Sequence, residues 1–220
     1  ESATETIPPY IIDAVKNCQV IFAENERTAR RFLKSICKEI VIDDYEWFTI
    51  HKAENEVLSA FRQKIKEGKN IGIISEAGCP GIADPGQILI AAAQEMNATI
   101  KPLVGPSSIL LALMASGMNG QQFEFVGYLP IDNLERNKAI TALETSSQKK
   151  NSTQIFIETP YRNNQLIETL LKTCKPSTRL CIAAELTGAG EFIKTRTVAD
   201  WKKEKTDFHK KPVIFLLHAV

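Results

Sequence analysis

Short apolar runs alternate with helical periods along the first half of the chain. The apolar runs lie at 19–23, 38–42, 70–75 and 99–104, and the helical patterns at 7–17, 27–35, 54–66 and 87–96. This alternation is typical of a parallel α/β sheet. The run at 70–75 is apolar throughout, which predicts a parallel strand buried on both faces in the centre of that sheet.

The second half has a different pattern. Five apolar runs predict strands at 122–129, 153–158, 179–186, 191–198 and 212–219. The loop TGAG at 187–190 is too short for a crossover helix, so it predicts a hairpin within a mixed sheet. The segment VGPSS at 104–108 reads as a hinge before a helix that ends near Gly117. We therefore predict an N-terminal α/β domain over 1–104 and a C-terminal α/β domain over 105–220.

Composition narrows the class of protein. The 220 residues are 44% apolar and 24% charged, which predicts globular folding, and the net charge of +1 neither favours nor excludes a nucleic-acid partner. Five cysteines without a CxxC pair and three scattered histidines predict neither a disulfide framework nor a metal site. No apolar run is long enough to span a bilayer and no charged-then-apolar leader opens the chain, so we expect neither a membrane segment nor a secretion signal. The odd number of cysteines without a CxxC pair predicts a location in the reducing cytoplasm.

The stretch SEAGCPGIADPG at 75–86 is the strongest candidate for a binding site. It follows the carboxyl end of a predicted strand, where open α/β sheets bind their ligands. Three glycines allow close approach of a ligand to the backbone, and Pro80 and Pro85 stiffen the loop. The alternative is that Asp84, Pro85 and Gly86 merely begin the next helix.

Other predicted strand ends also carry polar residues. Glu158 and Glu185 follow apolar runs, where each could hold a ribose or an amino group, although simple surface exposure is the alternative. If Glu158 is buried, a basic neighbour such as Arg162 has to compensate its charge. The serines of GPSS could bind a ligand or only cap a helix. The lysine groups at 149–150, 202–205 and 210–211 read as solvated faces or, alternatively, as RNA contacts.

The usual loops of other enzyme classes do not occur. The sequence contains no GxGxxG after a strand, no GxxxxGK[ST] and no GxSxG. This argues against the common nucleotide-binding folds and the α/β-hydrolases.

Taken together, the motifs resemble those of the tetrapyrrole methylase superfamily of S-adenosylmethionine-dependent methyltransferases. Within it, the chain is most similar to the branch that methylates cytidine 2′-hydroxyls in small-subunit ribosomal RNA. That branch carries SDAGTPxISDPG, PLPGPxxxxxALxxxG, GFLP, YESPHR and ARELT. The corresponding stretches here are SEAGCPGIADPG, PLVGPSSILLALMASG, GYLP, IETPYR and AAELT, in the same order over almost the whole chain.

The resemblance implies two α/β domains, the first mostly parallel and the second mixed, with S-adenosylmethionine in a cleft between them, and a homodimer. Carried over residue by residue, it implies that the methyl donor is bound by ten residues: Cys79, Gly81, Ile82, Ser107, Ser108, Ile109, Glu158, Thr159, Leu186 and Thr187. The family's first strand and its Pro/Gly-rich loop have no counterpart in these residues, so this strand either lies upstream of Glu1 or is absent from the protein.

The resemblance leaves three functions open: 2′-O-methylation of ribosomal RNA, C-methylation of a tetrapyrrole, and a catalytically silent relative that binds the donor. Several positions depart from the family pattern, among them Asn25, Glu76, Cys79 and Ile131. A ribose hydroxyl is weakly acidic, so a carboxylate near the acceptor would help remove its proton. The candidates are Glu24, Glu76 and Asp84, and the sequence does not choose among them.

Overall fold

The computed structural model of the chain describes residues 3–50 and 54–219. It divides into two compact units, Glu1–Ser107 (unit 1) and Ser108–Val220 (unit 2), whereas the sequence analysis placed the boundary after Val104. Among the described residues, none of the helices has the length and apolar character required to cross a membrane.

Unit 1 contains a parallel three-stranded sheet with helices packed against it. Its strands are Val20–Ala23 (β1), Glu46–Thr49 (β2) and Ile71–Ile74 (β3), in the order β2-β1-β3. Its α-helices are Tyr10–Lys16 (α1), Glu26–Ile36 (α2), Glu54–Lys66 (α3) and Gln87–Glu95 (α4), and its 3₁₀ helices are Ala3–Thr6 and Ile42–Asp44.

The predicted parallel sheet and the predicted helices of this half are confirmed. In α3, Val57, Leu58, Phe61 and Ile65 form an apolar face that packs into the core on one side of the sheet. Gly68, which has a φ of +70°, follows the end of this helix.

The predicted strand at 38–42 is wrong. Ile40 is the one buried residue of this run, and Val41 is 52% exposed. The segment therefore anchors a single side chain and enters a 3₁₀ helix, and the strand forms later at Glu46–Thr49. There Trp47 and Phe48 pack into the cores on the two opposite faces of the sheet, as successive strand residues do.

Two further predictions for unit 1 are wrong. The strand β3 is parallel as expected, but it lies at the edge of the described sheet rather than at its centre. The run at 99–104 forms no strand, and its last four residues are exposed. Pro102 has no N–H to donate to a sheet, and a strand at this position would need a neighbour that the described sheet does not provide.

Unit 2 contains a mixed five-stranded sheet, as predicted. Its strands are Phe123–Tyr128 (β4), Thr153–Ile157 (β5), Arg179–Ala184 (β6), Phe192–Thr197 (β7) and Val213–His218 (β8), in the order β4-β5-β8-β6-β7. The pair β4–β5 is parallel and the other three pairs are antiparallel, including the predicted β6–β7 hairpin.

Four helices complete unit 2: Ser108–Ser116 (α5), Asn133–Lys150 (α6), Asn163–Thr173 (α7) and Val198–Trp201 (α8). Helix α5 covers one face of the sheet, and α6, α7 and α8 cover the other. The fully buried Trp201 joins the second layer to the sheet, since its Nε1 donates to the carbonyl of Leu180 at 2.8 Å. Because of the strand directions, the carboxyl ends of β4, β5 and β6 and the amino ends of β7 and β8 lie at the same end of this sheet.

Candidate functional site

In unit 1, two acidic residues follow neighbouring parallel strands and meet at the carboxyl-end edge of the sheet. Glu24 comes directly after β1, and Glu76 lies two residues after β3. The backbone N–H of Glu76 donates to Oε2 of Glu24 at 2.8 Å, and the N–H of Glu24 donates to the carbonyl of Ile74 at 2.9 Å. The register of the sheet therefore fixes both residues beside each other, at the place where α/β sheets bind ligands.

The first turn of α2 orients Glu76. Thr28 donates from Oγ1 to Oε1 of Glu76 at 2.8 Å. Asn25 caps the same helix, because its side chain accepts hydrogen bonds from the N–H groups of Arg27 and Thr28. Thr28 was not among the site residues predicted from the sequence. Its position four residues after Glu24, in the first turn of a helix that starts at a strand end, is the signal that could have identified it.

The bend at 75–86 contains hydrogen bonds of its own, and its last residue, Gly86, is the N-cap of α4. The N–H of Gly81 donates to the carbonyl of Pro85, and that of Ile82 donates to the carbonyl of Cys79. Gly78 has a φ of +93°, and Ala83 adopts +63°, a conformation that is uncommon for residues with a Cβ. The N–H groups of Gly81 and Ile82 are occupied by hydrogen bonds within the loop. A ligand would therefore contact carbonyl groups and side chains of the loop instead.

The bend also contacts the segment that leads out of unit 1. The thiol of Cys79 lies 3.8 Å from the carbonyl oxygen of Pro106, within reach of a weak sulfur hydrogen bond. Ile82 is 53% exposed. Ser107 is the last residue of unit 1, so four of the predicted donor-binding residues, Cys79, Gly81, Ile82 and Ser107, belong to the same unit as the three carboxylates.

Asp84 is the carboxylate whose acidity is most altered. Burial, followed by the negative charges of Glu24 and Glu76, raises the pKa of Asp84 to about 6. One of its oxygens would lie 3.3 Å from a Cβ placed on Gly78, so the loop folds tightly around it. A carboxylate that holds its proton to near-neutral pH is well placed to exchange one with a ligand.

In unit 2, the predicted residues lie at the start of α5 and beyond the ends of β5 and β6. Ser108 begins α5 and is exposed, whereas Ile109 is partly buried against the core beneath that helix. Ile109 therefore has a packing role whatever else it contacts. Leu186 is likewise partly buried against the same core.

Glu158 is buried and compensated by Arg162, as the sequence analysis required of a buried carboxylate. Its Oε1 accepts from the N–H of Thr159 at 2.7 Å, and from Nε and Nη2 of Arg162 at 3.0 and 2.7 Å. Its other oxygen, Oε2, is buried and has no hydrogen-bond partner among the described residues. Surface exposure, the alternative for Glu158, is thereby excluded, and a free acceptor remains at the end of β5.

The loop after β6 is strained. Glu185 and Thr187 have φ values of +50° and +65°, and the second is a marked outlier for a β-branched residue. The Glu185 carboxylate pairs with Lys211 at 2.5 Å, and the N–H of Thr187 donates to Oε2 of Glu191 at 2.8 Å. A Cβ on Gly190 would come within 2.8 Å of the Glu185 carboxylate, so the loop closes tightly around that side chain. The role of Lys211 as the partner of Glu185 was not predicted.

The described residues contain no group of three or more histidine, cysteine, aspartate or glutamate side chains arranged to hold a metal ion.

Residues 2–201 match the family model described as Tetrapyrrole (Corrin/Porphyrin) Methylases. Among curated proteins, the chain is 30% identical over 209 residues to "Ribosomal RNA small subunit methyltransferase I" of Buchnera aphidicola, covering 94% of this chain and 70% of that protein. It is 32% identical over 151 residues to the protein of the same name from Micromonospora olivasterospora, covering 69% and 46% of the two chains. The chain thus spans between 46% and 70% of the length of these relatives.

Among solved structures, the chain is similar to the methyltransferase CobJ, with a TM-score of 0.65 and 16% identity over 98% of this chain and 89% of that one. At this identity the likeness concerns the fold, which is that of two α/β units with a parallel and a mixed sheet.

Proposed function

Because the chain belongs to the tetrapyrrole methylase family, we propose that it is an S-adenosylmethionine-dependent methyltransferase that methylates a cytidine 2′-hydroxyl in small-subunit ribosomal RNA. The curated relatives named as small-subunit ribosomal RNA methyltransferases support this acceptor, at 26–32% identity. The tetrapyrrole alternative is not favoured, since the solved tetrapyrrole enzymes are 14–16% identical to the chain.

The residues present fit the methyl donor. The buried, unpartnered Oε2 of Glu158 can accept a hydrogen bond from a ribose hydroxyl or an amino group. The carbonyls and exposed side chains of the bend, with Cys79, Gly81 and Ile82, would contribute from unit 1, and Ser107, Ser108, Ile109, Thr159, Leu186 and Thr187 complete the proposed set. When bound, S-adenosylmethionine supplies a methyl group that already carries its own leaving group.

The remaining tasks of the protein are to align the acceptor and to remove its proton. Alignment of two reacting groups can supply about 7–11 kcal/mol of a barrier. Of the three candidate carboxylates, we assign proton removal to Asp84, because its pKa of about 6 leaves it largely ionised at neutral pH yet basic enough to accept a proton. Glu24 and Glu76 raise that pKa and are held in place by the backbone and by Thr28.

The observation that carries the proposal is the family match over residues 2–201, together with the acidic cluster at the strand ends of unit 1. The first test is a calorimetric titration of the full-length protein with S-adenosylmethionine. The second incubates it with labelled donor and either small ribosomal subunits that lack the modification or uroporphyrinogen. Label in a ribose-methylated cytidine supports the proposal. Failure to bind the donor, or label in the tetrapyrrole alone, would refute it.

The cellular location and the oligomeric state of the protein belong to the same proposal. The five cysteines without a CxxC pair suit a reducing compartment, so we propose a cytoplasmic location. We also propose a homodimer, which light scattering of the full-length protein coupled to size-exclusion chromatography would show as twice the mass of one chain.

A further inference from the structure

An exposed cluster of aromatic and basic side chains lies at one edge of the unit 2 sheet. We name it the aromatic–lysine surface and define it as Tyr128, Tyr161, His209 and Lys210. Tyr128 ends β4, Tyr161 follows β5, and the other two lie in the loop that precedes β8. Since β4, β5 and β8 are neighbours in the sheet, the four residues come from three adjacent connections on the same edge.

The aromatic rings of this surface are open to solvent. Tyr161 is 70% exposed and Tyr128 is 58% exposed. The rings of Tyr161 and His209 meet edge to face, with centroids 5.7 Å apart. Tyr128 comes from the end of β4, the strand next to β5, so it is presented at the same end of the sheet as Tyr161. Exposed aromatic faces beside cations are the groups on which unstacked bases bind.

The two loops that present these side chains are fixed to each other. The fully buried Asn163 donates from Nδ2 to the carbonyls of Phe208 at 3.0 Å and Lys211 at 2.8 Å. The N–H of Lys210 donates to the carbonyl of Pro160 at 3.0 Å. A surface held this way loses little conformational entropy when it binds a ligand.

A second contact holds the same loop from α7. The Asn164 side chain donates to Asp207 at 2.7 Å and accepts from the N–H of Phe208 at 2.9 Å. Lys210 adopts a φ of +63°, a conformation that a side chain disfavours and that the surrounding hydrogen bonds maintain. The network thus fixes the backbone that carries Lys210.

The charge of this surface suits an anionic partner. Arg162 and Lys211 are neutralised by Glu158 and Glu185, but Lys210 is exposed and forms no ion pair with any described residue. The nearby Asp207 carboxylate accepts hydrogen bonds from the Asn164 side chain and the N–H of His209. An unpaired lysine that follows His209, whose ring contacts the open ring of Tyr161, matches the alternating phosphates and bases of a single strand, whose bases can leave the stack.

We propose that the aromatic–lysine surface binds single-stranded RNA, with bases stacked on Tyr161 and Tyr128 and a phosphate on Lys210. This inference rests on the proposed function, because it names the surface by which the same protein would hold its RNA acceptor. It adds an interaction site outside the proposed donor-binding residues and the three carboxylates.

The test measures binding of a fluorescein-labelled cytidine-rich RNA of about 12 nucleotides to the full-length protein by anisotropy. Tyr161→Ala should weaken binding by about tenfold, while Tyr161→Phe, which keeps the ring, should bind as the wild type does. Lys210→Ala should lower the slope of log affinity against log salt by about 0.7, the value for one phosphate of a single strand. The residues are exposed, so these variants should fold.

Lys150→Ala is the matched control. It removes the same charge from the end of α6, just before β5 begins and hence near the opposite edge of the sheet. Unchanged binding in Tyr161→Ala, an equal loss in Tyr161→Phe, or an equal effect in Lys150→Ala would overturn the inference. The inference would also be overturned if Tyr161→Ala weakened binding of the double-stranded form of the same sequence as much as it weakens binding of the single strand, because paired bases cannot stack on the rings.

The two proposals fail in different ways. Donor titration and methyl transfer by the wild type report on the proposed function, whereas the variant series reports on the RNA surface. Methyl transfer to ribosomal RNA with identical RNA affinity in wild type and Tyr161→Ala would refute the surface alone. RNA binding that depends on Tyr161 and Lys210 supports the surface even in a protein that transfers no methyl group.

Discussion

The acidic residues beyond the carboxyl ends of the strands are paired with cations in unit 2 but form an unpaired cluster in unit 1. In unit 2, Glu158 is paired with Arg162 and Glu185 with Lys211. In unit 1, Glu24, Glu76 and Asp84 form a cluster in which no ion pair joins any of them to a described residue, and the pKa of Asp84 is raised. A carboxylate paired with a cation serves binding and stability, while the unpaired cluster around Asp84 makes a proton exchangeable near neutral pH.

Asp84→Asn should sharpen this comparison with the largest effect. Loss of a general base typically lowers turnover by 10²–10⁴-fold, so we expect methyl transfer to fall by at least about 100-fold while donor binding persists. In the wild type, kcat/KM should rise with pH up to about 6 and then level off, as Asp84 loses its proton. Steady-state assays with small ribosomal subunits over pH 5–8 would measure both.

The control for this prediction is Asp43→Asn, which removes an exposed acidic residue of the same unit. It should leave turnover and the pH profile unchanged. If Asp84→Asn retains wild-type turnover, the assignment of proton removal to Asp84 is wrong, and Glu24→Gln and Glu76→Gln become the variants to test.

Arg162→Met should break the compensated edge. The variant leaves the Glu158 carboxylate buried without its cation, and loss of one partner of a buried pair costs about 3–5 kcal/mol when both groups are buried. Because the Arg162 side chain is 30% exposed, we expect a loss of about 3 kcal/mol in the free energy of unfolding. Urea denaturation followed by far-UV circular dichroism would measure it.

Lys138→Met is the matched control in unit 2, since the pair of Lys138 with Glu135 is exposed on both sides. Its cost should stay below about 0.5 kcal/mol. Equal losses in the two variants would mean that Glu158 is not a buried charge in need of compensation, and the contrast between the two edges would disappear.

The fold was largely predictable from the sequence because its strands and helices carry their own periodicity. Strands β5, β6 and β8 are buried along most of their length, and helix α3 packs one apolar face into the core, as their apolar residues indicate. The wrong strand predictions concern segments that would form a strand only if a neighbouring strand paired with them. The runs at 38–42 and 99–104 have strand-like residues, but neither pairs with a described strand, and an apolar run by itself does not define a sheet edge.

The positions of the candidate site could be predicted from the sequence, but the pKa values and ion pairs of its side chains could not. Strand ends and glycines indicated Glu24, Glu76 and Asp84, and the structure brings all three together in unit 1. The sequence could not show which of them has the raised pKa, because that depends on distance and burial. The pairing of Glu185 with Lys211 spans 26 residues and depends on the loop before β8, so no local pattern encodes it.

The smallest expected effect is a difference between the two units in how mild acid changes their stability. The folded state binds the Asp84 proton more tightly than the unfolded chain does, because the pKa rises from 3.8 to about 6. Stability from this group therefore increases as pH falls from 7.5 to 5, by at most about 1 kcal/mol, since solvent screens a partly exposed carboxylate. His218 in β8 behaves in the opposite way, because burial, and then the charge of Arg179, lower its pKa from 6.5.

Neither ring nitrogen of His218 has a hydrogen-bond partner among the described residues, so the folded state favours the neutral ring. Its contribution is present above pH 6.5 and is lost as pH falls towards its lowered pKa. Amide hydrogen exchange should thus show protection rising in β1 and β3 and falling in β6 and β8 between pH 7.5 and 5, after correction for intrinsic exchange rates. Asp84→Asn should abolish the first response and His218→Phe the second. If both variants keep the wild-type response, other groups govern the acid behaviour of the two units, and the contrast between them does not extend to stability.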